Sequence, residues 1–317
     1  MDSPADDVTR VSLAELVAAR IEARRLGLRL GGPISAPRAG GHLSRLRGPG
    51  IEYDESRGYV PGDDRRTMDW RVTARTAKPH VKVHRDERER PVWLFVDQGP
   101  SMRFATRVAF KSVVAARAAA LLGWMAVAHG DRVGGAIHDG SQLQLRPTAS
   151  RERGLLPLLR LLAGGPDGPP AGAAERRRAP ADFTAALHGV LARVRPGSLV
   201  FLLSDFAGCR AGDDAWLVRL TEHSEVMLIF IHDPIEAAAP PAGLWPVAGA
   251  AGGRVLLDLR SAGRRALYEA RFARHRQRLR DLARRQRAHW LTLTTDEAPA
   301  AALARVFGRR AAAGTGA

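Results

Sequence analysis

Val92-Trp93-Leu94-Phe95-Val96-Asp97-Gln98-Gly99-Pro100-Ser101-Met102 decides the fold of this chain. An apolar run ends in an aspartate, and a glycine and a serine follow at alternate positions. A short continuous apolar run bounded by turn residues reads as a strand buried on both faces, the kind that parallel sheets use. Its carboxyl tip presents oxygen ligands in a tight loop.

Outward from this strand, the pattern alternates between helix and strand. Arg107–His129 reads as a long helix, apolar nearly all round and therefore sandwiched in the core. Strands are expected at Arg132–Ile137, Leu199–Leu203, Glu225–Ile231, Arg254–Leu257 and Trp290–Leu293. Helices are expected at Arg151–Leu162, Asp182–Val194, Asp213–Glu222, Arg264–Arg287 and Pro299–Phe307. Ala163 to Pro180 is rich in Gly, Pro and Arg and reads as a long loop. Alternation of this kind implies right-handed crossovers and a mostly parallel sheet with helices on both faces.

Before the strand the character differs. Ser12 caps a helix that Gly27 stops. Gly31 to Gly50 is loop-like, Ile51 to Arg90 is polar and β-leaning, and His80-Val81-Lys82-Val83-His84 alternates as a half-buried strand does. The spacing of His80 and His84 on such a strand reads as a solvated face, not a metal site. The expected organisation is an N-terminal helix in residues 1–30, a small β-leaning subdomain in 31–90, the α/β domain in 91–310 and a disordered tail in 311–317.

The chain has 317 residues, 45% of them hydrophobic, enough for one large domain and a smaller one. Its formal net charge of +16 comes mostly from arginine spread along the whole length, with few aromatics beside it. That reads as a general arginine-rich habit, and nucleic-acid binding stands as an alternative. Cys209 is the single cysteine, so no intrachain disulfide forms. The acidic start lacks the features of a signal peptide, and the longest apolar run, Ala118 to Ala128, falls short of the ~20 residues that span a bilayer. A cytoplasmic protein without a membrane partner is expected.

Ligands of open parallel sheets gather beyond the carboxyl ends of the strands. Asp97 and Ser101 follow one strand, Asp205 ends another, and Thr184 sits in the first turn of the helix that Asp182 begins. The first of these segments resembles a degenerate form of the metal-ion-dependent adhesion motif, Asp-x-Ser-x-Ser, of von Willebrand factor A domains. The resemblance implies a divalent-ion site, Mg2+ for preference, held by Asp97, Ser101, Thr184 and Asp205. Gly99 stands where the motif has its middle serine, and glycine supplies no oxygen to an ion that needs near-octahedral coordination. The bland reading is that Asp97 and Asp205 cap loops and helix starts.

A second string, Glu52 to Arg75, interleaves acids and arginines around Tyr59 and Trp70. Tyr59, Pro61, Gly62, Asp63, Arg65 or Arg66, Trp70, Ala74 and Arg75, followed by Ser204-Asp205-Phe206, Asp233-Pro234 with Glu236, and Phe307-Gly308-Arg309, resemble the family called domain of unknown function 58. That resemblance covers roughly Gly48 to Arg310. It implies a von Willebrand factor A-like fold and association with a MoxR-type AAA+ ATPase in chaperone-like maturation of a client. It offers no catalytic residue. Tyr59, Asp63, Arg65, Trp70 and Arg75 are then a clasp between the two parts of the chain or a docking surface for the ATPase.

The expected function is a non-enzymatic protein-binding adaptor. A metal-assisted hydrolase built on the same aspartates is the second alternative. His138-Asp139 and His232-Asp233 read as strand exits before acid–base pairs, and no phosphate-binding Gly-rich loop or Gly-x-Ser-x-Gly elbow occurs.

Overall fold

The computed structural model describes residues 8–26, 52–59, 68–85, 89–164, 175–178, 182–189, 191–209, 212–248 and 254–307. In chain order the elements are α1 (Leu13–Arg25), β1 (Glu52–Gly58), α2 (Trp70–Thr76), β2 (His80–Arg85), β3 (Pro91–Asp97), α3 (Lys111–His129), β4 (Arg132–His138), β5 (Gln142–Ser150), α4 (Glu152–Gly164) and β6 (Glu175–Arg178). They continue with α5 (Phe183–His188), β7 (Leu199–Ser204), α6 (Ala215–His223), β8 (Glu225–His232), α7 (Pro234–Ala237), β9 (Leu244–Ala248), β10 (Arg254–Asp258), α8 (Ala262–Arg285), β11 (His289–Thr294) and α9 (Pro299–Phe307). The chain divides into two compact units, one of Met1–His42 with Arg90–Ala317, the other of Leu43–Glu89.

The larger unit is a mixed α/β structure on one sheet in the order β11-β8-β7-β3-β4-β5-β6. β11, β8, β7, β3 and β4 run parallel, and β5 and β6 add antiparallel strands at one edge. Side chains alternate across the pleat. Val92, Leu94 and Val96 therefore join the core beneath α1, α3, α4 and α9, whereas Trp93 and Phe95 join the core beneath α5, α6 and α8. Burial on both faces is why β3, β7 and β8 are apolar nearly throughout.

Helix α3 is buried almost all round because α1 covers the side that faces away from the sheet. Trp124 Nε1 donates to the Leu16 carbonyl at 2.9 Å, Arg117 pairs with Glu15 at 2.6 Å, and the Arg20 guanidinium lies 5.3 Å from the centre of the Trp124 ring. Among the described residues α3 is the one helix long and apolar enough to cross a membrane, and 78% of that apolar window is buried inside the protein.

Three expectations change. The loop from Ala163 to Pro180 contains β6, which pairs with β5. The helix from Asp182 to Val194 is shorter, because α5 ends at His188 and a separate 3-10 turn covers Leu191–Arg193. Arg254–Leu257 forms β10, but it pairs with β9 in an isolated ribbon and does not enter the main sheet. The N-terminal helix belongs to the larger unit. The expected tail at 311–317 lies outside the described residues.

In the smaller unit β1 pairs antiparallel with β2, with a register irregularity between Tyr53 and Glu55. Asp69, 4% exposed, caps α2 by accepting from the N–H groups of Arg71 at 3.1 Å and Val72 at 3.2 Å. The Asp69 N–H donates to the His80 carbonyl at 2.7 Å, and the Tyr59 N–H donates to the Pro79 carbonyl at 2.9 Å.

Candidate functional site at the carboxyl rim of the sheet

β4 lies on one side of β3 and β7 on the other, so the strand order reverses at β3. The chain leaves β3 for α3 on one face of the sheet and β7 for α6 on the other, the kind of point at which open α/β sheets take their ligands. Asp97 ends β3 and Ser204-Asp205 ends β7, and the two exits are tied together. Ser204 Oγ donates to Asp97 Oδ2 at 2.6 Å, and the Gly99 N–H donates to Asp97 Oδ1 at 2.8 Å. Fully buried His138 lies with Nδ1 3.5 Å from the same Oδ1. The loop turns so tightly that a Cβ on Gly99 would stand 3.0 Å from Asp97 Oδ1.

Asp205 carries the second half of the site. Its Oδ1 accepts from Ser101 Oγ at 3.1 Å and from the Ala207 N–H at 2.9 Å. Its Oδ2 accepts from Lys111 Nζ at 2.7 Å. Lys111 is the first residue of α3, is 1% exposed, and also donates to Glu236 Oε1 at 2.8 Å. Burial opposes the lysine's charge, but the Asp205 and Glu236 carboxylates overcome it and hold the amine above its ordinary value. Glu236 Oε2 accepts the Asp233 N–H at 2.8 Å, closing a capping box on α7.

The network extends across the rim through Asp233. That carboxylate accepts from Thr106 N and Oγ1 at 2.9 and 2.7 Å, from Thr295 Oγ1 at 2.6 Å and from the Ile235 N–H at 3.0 Å. Burial works against its charge, and the bonds from Thr106 and Thr295 nevertheless hold it below the ordinary carboxylate value. Phe206, in the turn after Asp205, adopts φ 51°, a region that bulky residues avoid. It is held there by its N–H bond to Ser204 Oγ at 2.9 Å and by stacking on Trp216 at 6.1 Å.

Of the four residues expected to hold an ion, Asp97, Ser101 and Asp205 gather at this rim. Thr184 is engaged elsewhere: its hydroxyl donates to Asp182 Oδ1 at 2.9 Å, with Asp213 Oδ2 at 3.5 Å. A magnesium ion does not fit these donors. Both oxygens of Asp97 accept protein hydrogen bonds, both oxygens of Asp205 do so too, and an ammonium already lies against Asp205. Among the described residues no group of three or more His, Cys, Asp or Glu is arranged to hold a metal. A cavity of about 490 Å³ lies beside α1, and one of about 290 Å³ lies beside Gln98 and Arg103 in the loop after β3; neither is lined by Asp97, Ser101 or Asp205.

Residues 55–278 match the family described as "Protein of unknown function DUF58". The chain belongs to the DUF58 family. The DUF58 match contains every rim residue named above except Thr295. The chain is also 34% identical over 207 residues, 64% of its length, to "Uncharacterized protein Rv1480" of Mycobacterium tuberculosis and to "Uncharacterized protein Mb1516" of Mycobacterium bovis. It spans 62% of the length of these relatives. Among solved structures it is similar to the crystal structure of the conserved hypothetical protein BatB from Bacteroides thetaiotaomicron, at 13% identity and a TM-score of 0.38, covering 68% of this chain and 96% of that one.

The DUF58 signature in the smaller unit is partly visible. Trp70 is 70% exposed, Arg71 and Arg75 are exposed, and Tyr59 is half-buried. Asp63 and Arg65 lie outside the described residues. Sequence reasoning missed Lys111 and Ser204 as parts of the rim. The signal for Lys111 was a cation at the first position of a helix that is otherwise mostly apolar. His138 and His232 make no acid–base pair with the aspartates that follow them. Asp139 instead accepts from Ser141 and from the Gln142 N–H. The His232 ring packs against Phe230 and Phe272 with centroids 5.6 and 5.0 Å away. Burial, aided by nearby Arg276 and Lys111, pushes His232 down to about 4.

Proposed function

We propose that this chain is a non-enzymatic protein-binding adaptor with a von Willebrand factor A-like domain, acting in the cytoplasm beside a MoxR-type AAA+ ATPase in the maturation of a client protein. One observation carries the reading: the exits of β3 and β7 meet at the reversal of strand order, joined by the Ser101–Asp205 bond at 3.1 Å. A crevice at that point of an open α/β sheet is where such folds take their ligands. The polar groups lining it are consumed in holding the loops, which favours a shaped docking surface over a reaction centre. Exposed Pro100, Arg103, Ala207 and Gly208 form its outer lip.

The test is binding of a purified cognate ATPase to the full chain and to Arg103→Glu/Ala207→Trp, which alters the lip and leaves the buried network intact. The double variant is expected to weaken binding at least about tenfold, a loss of about 1.4 kcal/mol. Undiminished binding by the folded variant would remove the crevice as the docking site.

A second reading has one observation in its favour. Arg264, Arg271, Arg274, Arg276 and Arg280 are all exposed along α8, a basic surface suited to a polyanion. Nucleic-acid affinity that falls log-linearly with salt would support it, and a flat response would dismiss it.

A further inference from the structure

The disagreement between the expected ion site and the observed donors has a specific cause. We propose that the Lys111 ammonium is the resident cation of this crevice, fixing the loops as a divalent ion would and making the site independent of metal. The amine bridges Asp205 Oδ2 at 2.7 Å and Glu236 Oε1 at 2.8 Å, joining the exits of β7 and β8. Its remaining face lies 5.7 Å from the centre of the Phe104 ring, within the range of cation–π attraction. Two of its three N–H groups are thus accounted for by carboxylates.

Most of the carboxylate charge is offset without a metal. Two carboxylates face one ammonium and the amino end of α3, which contributes roughly half a positive charge. A second cation bound to Asp205 would have to sit at about 2.0–2.1 Å either from Oδ2, which already holds that ammonium, or from Oδ1, which already accepts from Ser101 Oγ and the Ala207 N–H. Gly99 fits the same account. It gives up the serine oxygen that an ion would use, and its N–H closes on Asp97 instead. Lys111 is 1% exposed, so it offers no open coordination position to a partner's carboxylate. This consequence rests on the reading of the rim as a docking crevice: recognition there falls to the lip residues and survives chelation.

The test uses the isolated full chain with Mn2+ as a paramagnetic probe, together with thermal melts in EDTA and in millimolar Mg2+. For the wild type the expected result is no tightly bound Mn2+, or binding that Ser101→Ala changes less than about threefold, and melting points within about 1 °C of each other. Lys111→Ala vacates the cation's place, and its melting point is expected to rise by about 4 °C or more on adding Mg2+. Wild-type binding of Mn2+ that Ser101→Ala weakens threefold or more, with a matching Mg2+ stabilisation, would overturn the proposal. If Lys111→Ala does not fold, the wild-type and Ser101→Ala measurements decide it. No partner is needed, so the role of Lys111 stands or falls independently of the docking reading.

Discussion

Substituting Glu225 by Gln tests how the amino edge of the sheet is held. Glu225 opens β8, and its Oε2 accepts from Arg90 at 2.8 Å while His289 Nε2 lies 3.0 Å from Oε1. The same guanidinium donates to the carbonyls of Gly197 and Ser198, at 3.1 and 3.5 Å, just before β7. One carboxylate therefore links the starts of β3, β7, β8 and β11. Burial disfavours its charge, yet the His289 bond and the Arg90 charge overcome this and lower it from 4.5 to about 2. At about 1.4 kcal/mol per factor of ten in proton affinity, that fall corresponds to a ceiling of about 3 kcal/mol. Glutamine keeps an acceptor oxygen, so a loss of roughly 2–3 kcal/mol is expected, or about 3–5 °C in melting point for a chain of this size. The sign follows from the lowered value. The contribution is complete above pH 4.5 and disappears as pH falls through about 2. The difference between wild type and Glu225→Gln in urea unfolding is therefore constant near neutrality and narrows below pH 4.5. A variant as stable as the wild type at pH 7, or a gap that stays constant to the acid limit, would refute the reasoning.

Three further outcomes are expected. Ser204→Ala leaves Asp97 Oδ2 and the Phe206 N–H without their common partner, and urea unfolding should record a loss of about 2–3 kcal/mol. Gly154→Ala drives a methyl to 2.1 Å from the Val133 carbonyl and 2.3 Å from that of Ala149, where backbone cannot yield; a loss of about 1–3 kcal/mol is expected in the same assay. His232→Phe removes a buried imidazole that protonates at about 4 when folded and 6.5 when unfolded, so the decline of wild-type stability between those pH values should flatten in the variant.

Strands β3, β7 and β8 were legible because a strand buried on both faces has little choice but apolar side chains. The edge was not. Gln142-Leu143-Gln144-Leu145-Arg146-Pro147 alternates weakly and carries a proline, and it becomes strand only because a register shift opposite Gly134 absorbs Pro147. The β9–β10 ribbon was half seen, since one apolar run does not reveal whether its neighbour is the main sheet or a local hairpin. At the rim, Asp97, Ser101 and Asp205 could be read from their positions after strands. Thr184 was drawn in by its place near a helix start, but Asp182, two residues earlier, captures its hydroxyl. Lys111 was hidden because its partners are 94 and 125 residues away, and only the closed fold brings them to it.

The cover that α1 places over α3 bears on where this chain can be cut. A fragment starting at β3 would retain every strand of the main sheet and still leave a greasy alanine–leucine flank bare, with the Trp124 indole deprived of its Leu16 acceptor. Such a fragment should self-associate or be lost to quality control, although its pleated layer is intact. The first helix is better regarded as the lid of the hydrophobic interior than as a leader that can be trimmed.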